Sequence, residues 1–409
     1  MTSRVVTVTY ILCVWFIISF VTNIIGPLMP VIIHDFKLSL TLAGVLPFSF
    51  FLAYGLVSIP AGVVVETKGP AFAILTAFTV NLLGALGFAL HPTYFAAIAA
   101  LFVIGIGMAM LQVVINPLMR NAGGEAHFAF FSVLGQLVFG LASYVSPMAF
   151  SAIMAGHLTL PAAMTRGPTW ITLYWLFAAV FALALVVTFA LNIKSFALKD
   201  DERSGPIAVY LDLLKDAKVR WYFLGIAAYV GTEQSLANWM SPFLQTYHHI
   251  DPATAGAQAV GNFWGLMSLG CLLGLGLLKL FDSRAVLCAA VIAAVACLTA
   301  ALFGPGQVSL LAFPLCGFCL SVMFSIVFAL ALNSVPKHHG AFSGILCSGI
   351  LGGAIAPLII GAIGEHTGLR VSLLLVFGLL AFLFSIGIRA RPLVANATLF
   401  SPAAETPRG

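Results

Sequence analysis

KSFALKDDERSGPIAVYLDLLKDAK, residues 194–218, is the one long polar stretch between apolar runs in this chain, and its position decides the architecture. Apolar runs precede it at roughly 7–32, 41–65, 70–90, 93–118, 128–154 and 169–193. Others follow at roughly 219–247, 255–281, 284–303, 307–334, 341–364 and 369–388. Each run reaches the ~20 residues that a helix needs to cross a hydrocarbon layer ~30 Å thick. They are too long and too uniformly apolar for the alternating strands of a membrane barrel, which leaves helices as the spanning element. The chain therefore reads as an all-α integral membrane protein of 12 transmembrane helices, six before the polar stretch and six after it.

Inside that stretch, Asp212, Lys215 and Asp216 fall on one side of a helical turn while Leu211 and Leu214 fall on another. This predicts a short amphipathic helix lying on the membrane surface. The expected organisation is a six-helix bundle over 1–193, a cytoplasmic linker over 194–218, a second six-helix bundle over 219–389 and a disordered Pro- and Ala-rich cytoplasmic tail over 390–409.

Composition excludes other classes. With 61% hydrophobic and 8% charged residues, no soluble domain is compatible with this chain. Placing the N-terminus inside puts 15 of the 18 Lys and Arg residues on inner segments and tails, with Lys37, Arg166 and Arg370 outside. That bias predicts a multi-pass protein of the inner (plasma) membrane with both termini in the cytoplasm. No cleavable signal peptide is expected, because the first apolar run is too long and lacks a small-residue cleavage site. The net charge of +5 then follows from topology, and no nucleic-acid partner is implied. The seven cysteines all fall in predicted helices and read as packing residues; Cys316 and Cys319 form a CxxC with no His or acid nearby. Without metal-ligand spacing, a nucleophile elbow or a phosphate loop, the chain is not expected to be an enzyme or to hold a metal.

Glu233, midway along the seventh run, is the one charged side chain whose sequence position forces it to membrane depth. Such a placement costs at least ~2.5 kcal/mol on insertion scales, so an intramembrane acid is a functional candidate and faces a bundle interior. At about 100° per residue, Gln234, Asn238, Ser241 and Gln245 form a polar stripe with Glu233 at its edge and Tyr229 one turn earlier. Lipid would leave those amides unsatisfied, so the stripe is expected to line a cavity, with Pro242 marking a bend near its outer end. Trp239 and Trp264 are candidates to stack on the apolar face of a sugar, and Asn262 to bond its hydroxyls. In the first half, Gln112 and Asn116 share a face of the fourth run, Asn23 precedes the helix-interrupting Gly26, Pro27 and Pro30, and Gln136 lies in the fifth run. Trp170 and Trp221, near run ends, read as interfacial anchors, and Asn81 and Asn333 as structural.

Two sets of six spans around a charged linker are the architecture expected of a major facilitator transporter, with its substrate site at midplane between the halves. Within that superfamily several stretches resemble the fucose-galactose-glucose symporter family. These are Ile59-Pro60-Ala61-Gly62, GIGMAMLQVVINP from Gly105 to Pro117, YVGTE from Tyr229 to Glu233, and SGILGGAIAPLIIGAIGEHTG from Ser348 to Gly368. The resemblance runs through nearly all 12 spans in order and implies sugar uptake coupled to an ion. The chain departs from the fucose member at the acids of the first half. Gln112 stands where that member has a coupling Glu, Gly26 where it has an Asp, and Leu137 where it has an Asn that matters for fucose. These departures argue against fucose-type proton coupling and against fucose itself.

No Lys, Arg or His is predicted at membrane depth, which disfavours phosphorylated or carboxylated cargo and favours a small neutral polar solute. A proton, a sodium ion or a cationic substrate could discharge Glu233. The expected function is import of such a solute, a sugar above others, by alternating access with H⁺ or Na⁺ coupling through Glu233. No cofactor beyond the coupling ion is expected, the lipid bilayer is the partner surface, and the chain is expected to act as a monomer. The alternatives are a proton-coupled drug or metabolite exporter, and a non-transporting membrane receptor of the same fold.

Overall fold

The computed structural model describes residues 4–123, 128–156, 168–191, 207–335 and 339–391. Those residues form helices joined by short turns, with no strand among them. The first span is two helices, Arg4–Thr22 and Ile25–Phe36. The second to fifth are Leu40–Lys68, Pro70–Leu90, Tyr94–Gly123 and Phe128–Met154, and the sixth is Thr172–Leu191. A short helix, Ile207–Lys215, occupies the expected linker position. The seventh to ninth spans are Ala217–His248, Ala257–Leu280 and Ser283–Phe303. The tenth is broken into Gly306–Leu320 and Met323–Leu332, the eleventh into His339–Ser348 and Gly352–Thr367, and the twelfth into Leu369–Ser372 and Leu375–Arg389. Residues 192–206 and the tail from 392 lie outside the described set.

Capping explains where several helices start. Ser39 accepts from Leu42 N, Asp216 from Lys218 N and Asp282 from Arg284 N, each satisfying a donor that the first turn leaves free. At Gly69 and Gly368 the chain reverses between spans with φ of 86° and 84°, a region that favours glycine. Both glycines close an acid-x-x-Gly turn, Glu66 to Gly69 and Glu365 to Gly368.

The molecule is turned inside out relative to a soluble protein. Leu83, Leu183, Phe189 and Leu311 are between 62% and 79% exposed. The fully buried polar side chains are Ser, Thr, Asn and Gln, with no Asp, Glu, Lys or Arg among the described residues. Among the described residues, eleven spans are long and apolar enough to cross a membrane. The seventh, Ala217–His248, is the one span absent from that group although it has 32 residues. Glu233, Gln234, Ser235, Asn238 and Ser241 crowd its centre and lower its hydropathy, in keeping with the polar stripe read from the sequence.

Alternation of direction places Arg4 and Arg389 at one end of the bundle, called here the terminal end. There Arg284 Nη1 reaches Ala390 O at 3.4 Å and Tyr10 OH meets Thr188 Oγ1 at 2.6 Å. At the opposite, distal end Tyr94 OH donates to Leu42 O at 2.7 Å, and Trp170 Nε1 donates to Asp35 Oδ2 at 2.6 Å. Trp170 is 1% exposed and packs against Phe36 and Phe88. It is a buried strut between the first and sixth spans, which corrects its reading as an interfacial anchor. Trp221 is half-buried against Phe382.

Among the described residues the two halves of the chain meet mainly through three helix pairs, with Gly26 of the first span also facing Val260 of the eighth. The first span touches the seventh where a Cβ on Gly26 would lie 2.4 Å from Ala237 O. The second runs along the eleventh, with Gly44 against Leu358 and Gly55 against Leu351. The fifth packs on the eighth, with Gly140 against Ser268 and Tyr144 against Gly261 and Gly265. The linker helix docks by Tyr210 beside Gly344, at the start of the eleventh span. Arg220 Nη1 caps its C-terminus by donating to Leu214 O and Lys215 O.

Candidate functional site

Glu233 lies where the seventh, eighth and tenth spans converge. Tyr229, one turn earlier, donates its hydroxyl to Glu233 Oε1 at 2.9 Å, and Gln234 Nε2 lies 3.4 Å from Oε2. The Tyr229 ring is fixed in turn by Phe324 of the tenth span, with centroids 5.6 Å apart. Glu233 is half-buried, while Tyr229, Gln234, Asn238 and Ser241 are buried. Cys271 of the eighth span is within electrostatic reach of the carboxyl, and its thiol donates to Ser321 O at 3.3 Å. Ser321 marks the break in the tenth span, where the helical ladder is interrupted before Met323. Cys271 thus links the surroundings of the acid to a discontinuous helix, an arrangement that in transporters exposes backbone carbonyls to a bound ion.

The polar stripe follows from the seventh helix running unbroken through Pro242. Gln234 reaches the junction of the halves: a Cβ on Gly353 would lie 3.0 Å from its Cγ and 3.4 Å from the Phe51 ring. Asn238 Nδ2 donates to Gln234 O at 2.7 Å. Gln245, at the far end of the stripe, is exposed.

Across the junction, Asn23 sits at the turn between the two helices of the first span. Its Nδ2 donates to Ser143 Oγ at 2.8 Å and to Ser19 O at 3.1 Å, while Ser19 and Ser143 share a 2.6 Å bond. Thr22 bonds Tyr54 of the second span. This serine-rich knot joins the first and fifth spans and orients the Asn23 amide. Ser19 and Asn23 stand at i and i+4 in the sequence, a signal that sequence reading passed over. Gln112 is half-buried on the fourth span. The side chains of Asn116 and Gln136 lie outside the described set.

Among the aromatic candidates, Trp239 is placed differently from expectation. Trp239 is 0% exposed and donates its Nε1 to Pro357 O at 3.0 Å, so its ring joins the seventh span to the eleventh and offers no face to a solute. Asn262 accepts from Gln258 Nε2 at 2.9 Å and shares its helical face with Leu269 and Leu273, which are 55% and 59% exposed. Asn262 is half-buried, and helical spacing puts it about 60° from Gly265, which packs on Tyr144 of the fifth span. Trp264, two positions on, takes the opposite face. It is 3% exposed, and its Nε1 has no partner among the described residues.

The site thus joins a tyrosine-held acid in the second half to buried amides at the junction, in a bundle of discontinuous helices. A family model for the Major Facilitator Superfamily matches residues 11–348. The chain belongs to the major facilitator superfamily. Among curated relatives, a glucose/galactose transporter of Brucella abortus is 28% identical over 382 residues, 90% of each chain. The L-fucose-proton symporter of Escherichia coli is 25% identical over 391 residues, 90% of this chain and 88% of that one. A crystal structure of the E. coli fucose:proton symporter superposes with a TM-score of 0.68 at 19% identity, covering 95% of this chain and 99% of that chain. Membership makes this a multi-pass membrane transporter. It also gives meaning to Gly26: with Ala237 O so close, no side chain fits where the resemblance places an acid in the fucose member.

Proposed function

We propose that the protein is a sugar transporter that works by alternating access, with H⁺ or Na⁺ coupled to uptake through Glu233. The observation that carries this reading is the Glu233 carboxyl, half-buried midway along the seventh span and held by Tyr229 and Gln234. An acid so placed can trade a proton or a sodium ion as its surroundings change, which satisfies the requirement that an intramembrane charge be paired or discharged. The buried amides of Asn23, Gln234 and Asn238 supply hydrogen-bonding groups suited to hydroxyls. The lack of fully buried ionised groups among the described residues favours neutral cargo. The Brucella relative, a glucose/galactose transporter, supports hexoses as the first solutes to test.

In this reading residues 1–193 and 219–389 rock against each other as two bodies within the inner membrane. Both termini are cytoplasmic, the distal end faces outward, and one chain suffices. The Lys and Arg bias supports the orientation.

The test is counterflow in proteoliposomes preloaded in turn with unlabelled glucose, galactose and fucose, comparing the parent protein with Glu233→Gln. Exchange by both, with concentrative uptake lost in the variant, is the expected outcome. Full concentrative uptake by Glu233→Gln would remove the coupling role, and absence of exchange with every sugar would remove the substrate class.

A further inference from the structure

We propose that Glu365 is the gate residue of the distal end, holding the two halves together there by capping a helix of the opposite half. The inference rests on the alternating-access reading, in which distal contacts between halves must form and break in each cycle. Glu365 closes the eleventh span, and its Oε2 accepts from Thr41 N at 3.2 Å and from Thr41 Oγ1, across 324 residues of chain.

The geometry is that of an N-cap supplied from outside the helix. The second span starts at Leu40, and its first turn leaves backbone donors free. Ser39 satisfies Leu42 N at 3.3 Å from within the same half. Glu365 satisfies Thr41 N from the other half. A carboxylate suits this place twice over, because it accepts both bonds and because the N-terminus of a 29-residue helix carries partial positive charge. Both residues are accessible to water, so the bond is one that thermal motion can open.

Below the cap the backbones touch. A Cβ on Gly361 would lie 2.5 Å from Leu40 O, and one on Gly44 would lie 3.0 Å from Leu358 Cα and 3.3 Å from Pro357 O. The glycines permit close approach but carry no polarity that would favour one state. The carboxylate cap supplies the preference for closure, and it acts only when the second and eleventh spans are together.

The test uses the full chain in lipid nanodiscs, with ketone-bearing unnatural residues at His91 and Gln307. These are exposed distal positions on opposite halves, and spin labels attached there leave the native cysteines untouched. Pulsed dipolar spectroscopy then reads the fraction of molecules with the distal end open. Glu365→Ala is expected to raise the ratio of open to closed by about fivefold, and Thr41→Val by less, because its N–H remains. Thr41→Ser, which keeps the hydroxyl, should return the parent distribution, and the double variant should not exceed Glu365→Ala. An unchanged distribution in Glu365→Ala would overturn the proposal. A shifted distribution in a protein that exchanges no sugar in counterflow would sustain the gate and remove the sugar as cargo alone.

Discussion

Tyr229 and Glu233 stand one turn apart, and a single 2.9 Å bond ties them. Replacing Tyr229 with Phe keeps the ring against Phe324 and removes only the hydroxyl, so folding should be unaffected. One hydrogen bond to a charged group is worth about 1.5–3 kcal/mol. The bond favours the free carboxylate over the ion-bound one, so Tyr229→Phe is expected to lower the ion concentration for half-maximal uptake by about tenfold or more, with maximal rate near the parent, read from uptake against pH or Na⁺. A second residue-scale outcome concerns Gly107. A methyl there would sit 2.3 Å from Asn81 Oδ1 and 2.5 Å from Ala77 O. Overpacking of this kind costs about 1–3 kcal/mol, so Gly107→Ala should lower the melting temperature in detergent. Adding Asn81→Ala should recover only part, because the Ala77 carbonyl stays in place. At this scale the sequence disclosed Glu233 plainly, since charge at depth needs no structure to be noticed. It gave no sign of Thr41 and Glu365 as partners, because register between helices 324 residues apart leaves no periodic trace.

At the scale of a helix, legibility depended on which face was read. The stripe through Gln234, Asn238 and Ser241 emerged from spacing alone, and the structure buries all three. The same arithmetic could have placed Asn262 with Leu269 and Leu273, and away from Trp264. Asn262 and Trp264 take opposite faces of the eighth helix. Trp239 departs from expectation through its partner. Its indole nitrogen finds the carbonyl of Pro357 in the eleventh span, a partner that only tertiary packing reveals. The linker helix was legible from polarity. Its exposed Asp212–Lys215 pair, 2.8 Å apart, holds the Asp212 carboxyl below its ordinary range. Exposed pairs of this kind contribute little to stability.

For the whole molecule, the six-and-six division and the membrane class were written in the polar interval at 194–218 and in the length of the apolar runs. The three helix pairs that join the halves were not. They depend on glycines such as Gly26, Gly44 and Gly140, whose role is to be absent where a neighbour's backbone or side chain arrives. The seventh helix, whose polar centre sets it apart from the other eleven spans, has a consequence for biogenesis. A ribosome delivers the chain to the insertion channel one segment at a time, and each segment partitions into lipid according to its own hydropathy. Fused alone into a reporter and translated with microsomes, residues 217–248 should remain largely unintegrated, as judged by glycosylation of flanking sites. Extending the fusion to residue 280 should rescue integration, because the eighth span can shelter the polar face. Integration of 217–248 alone with high yield would contradict this. The residues that equip the seventh helix for its site would then make it the segment whose assembly must await its neighbours, and the step at which the nascent protein is most open to misinsertion.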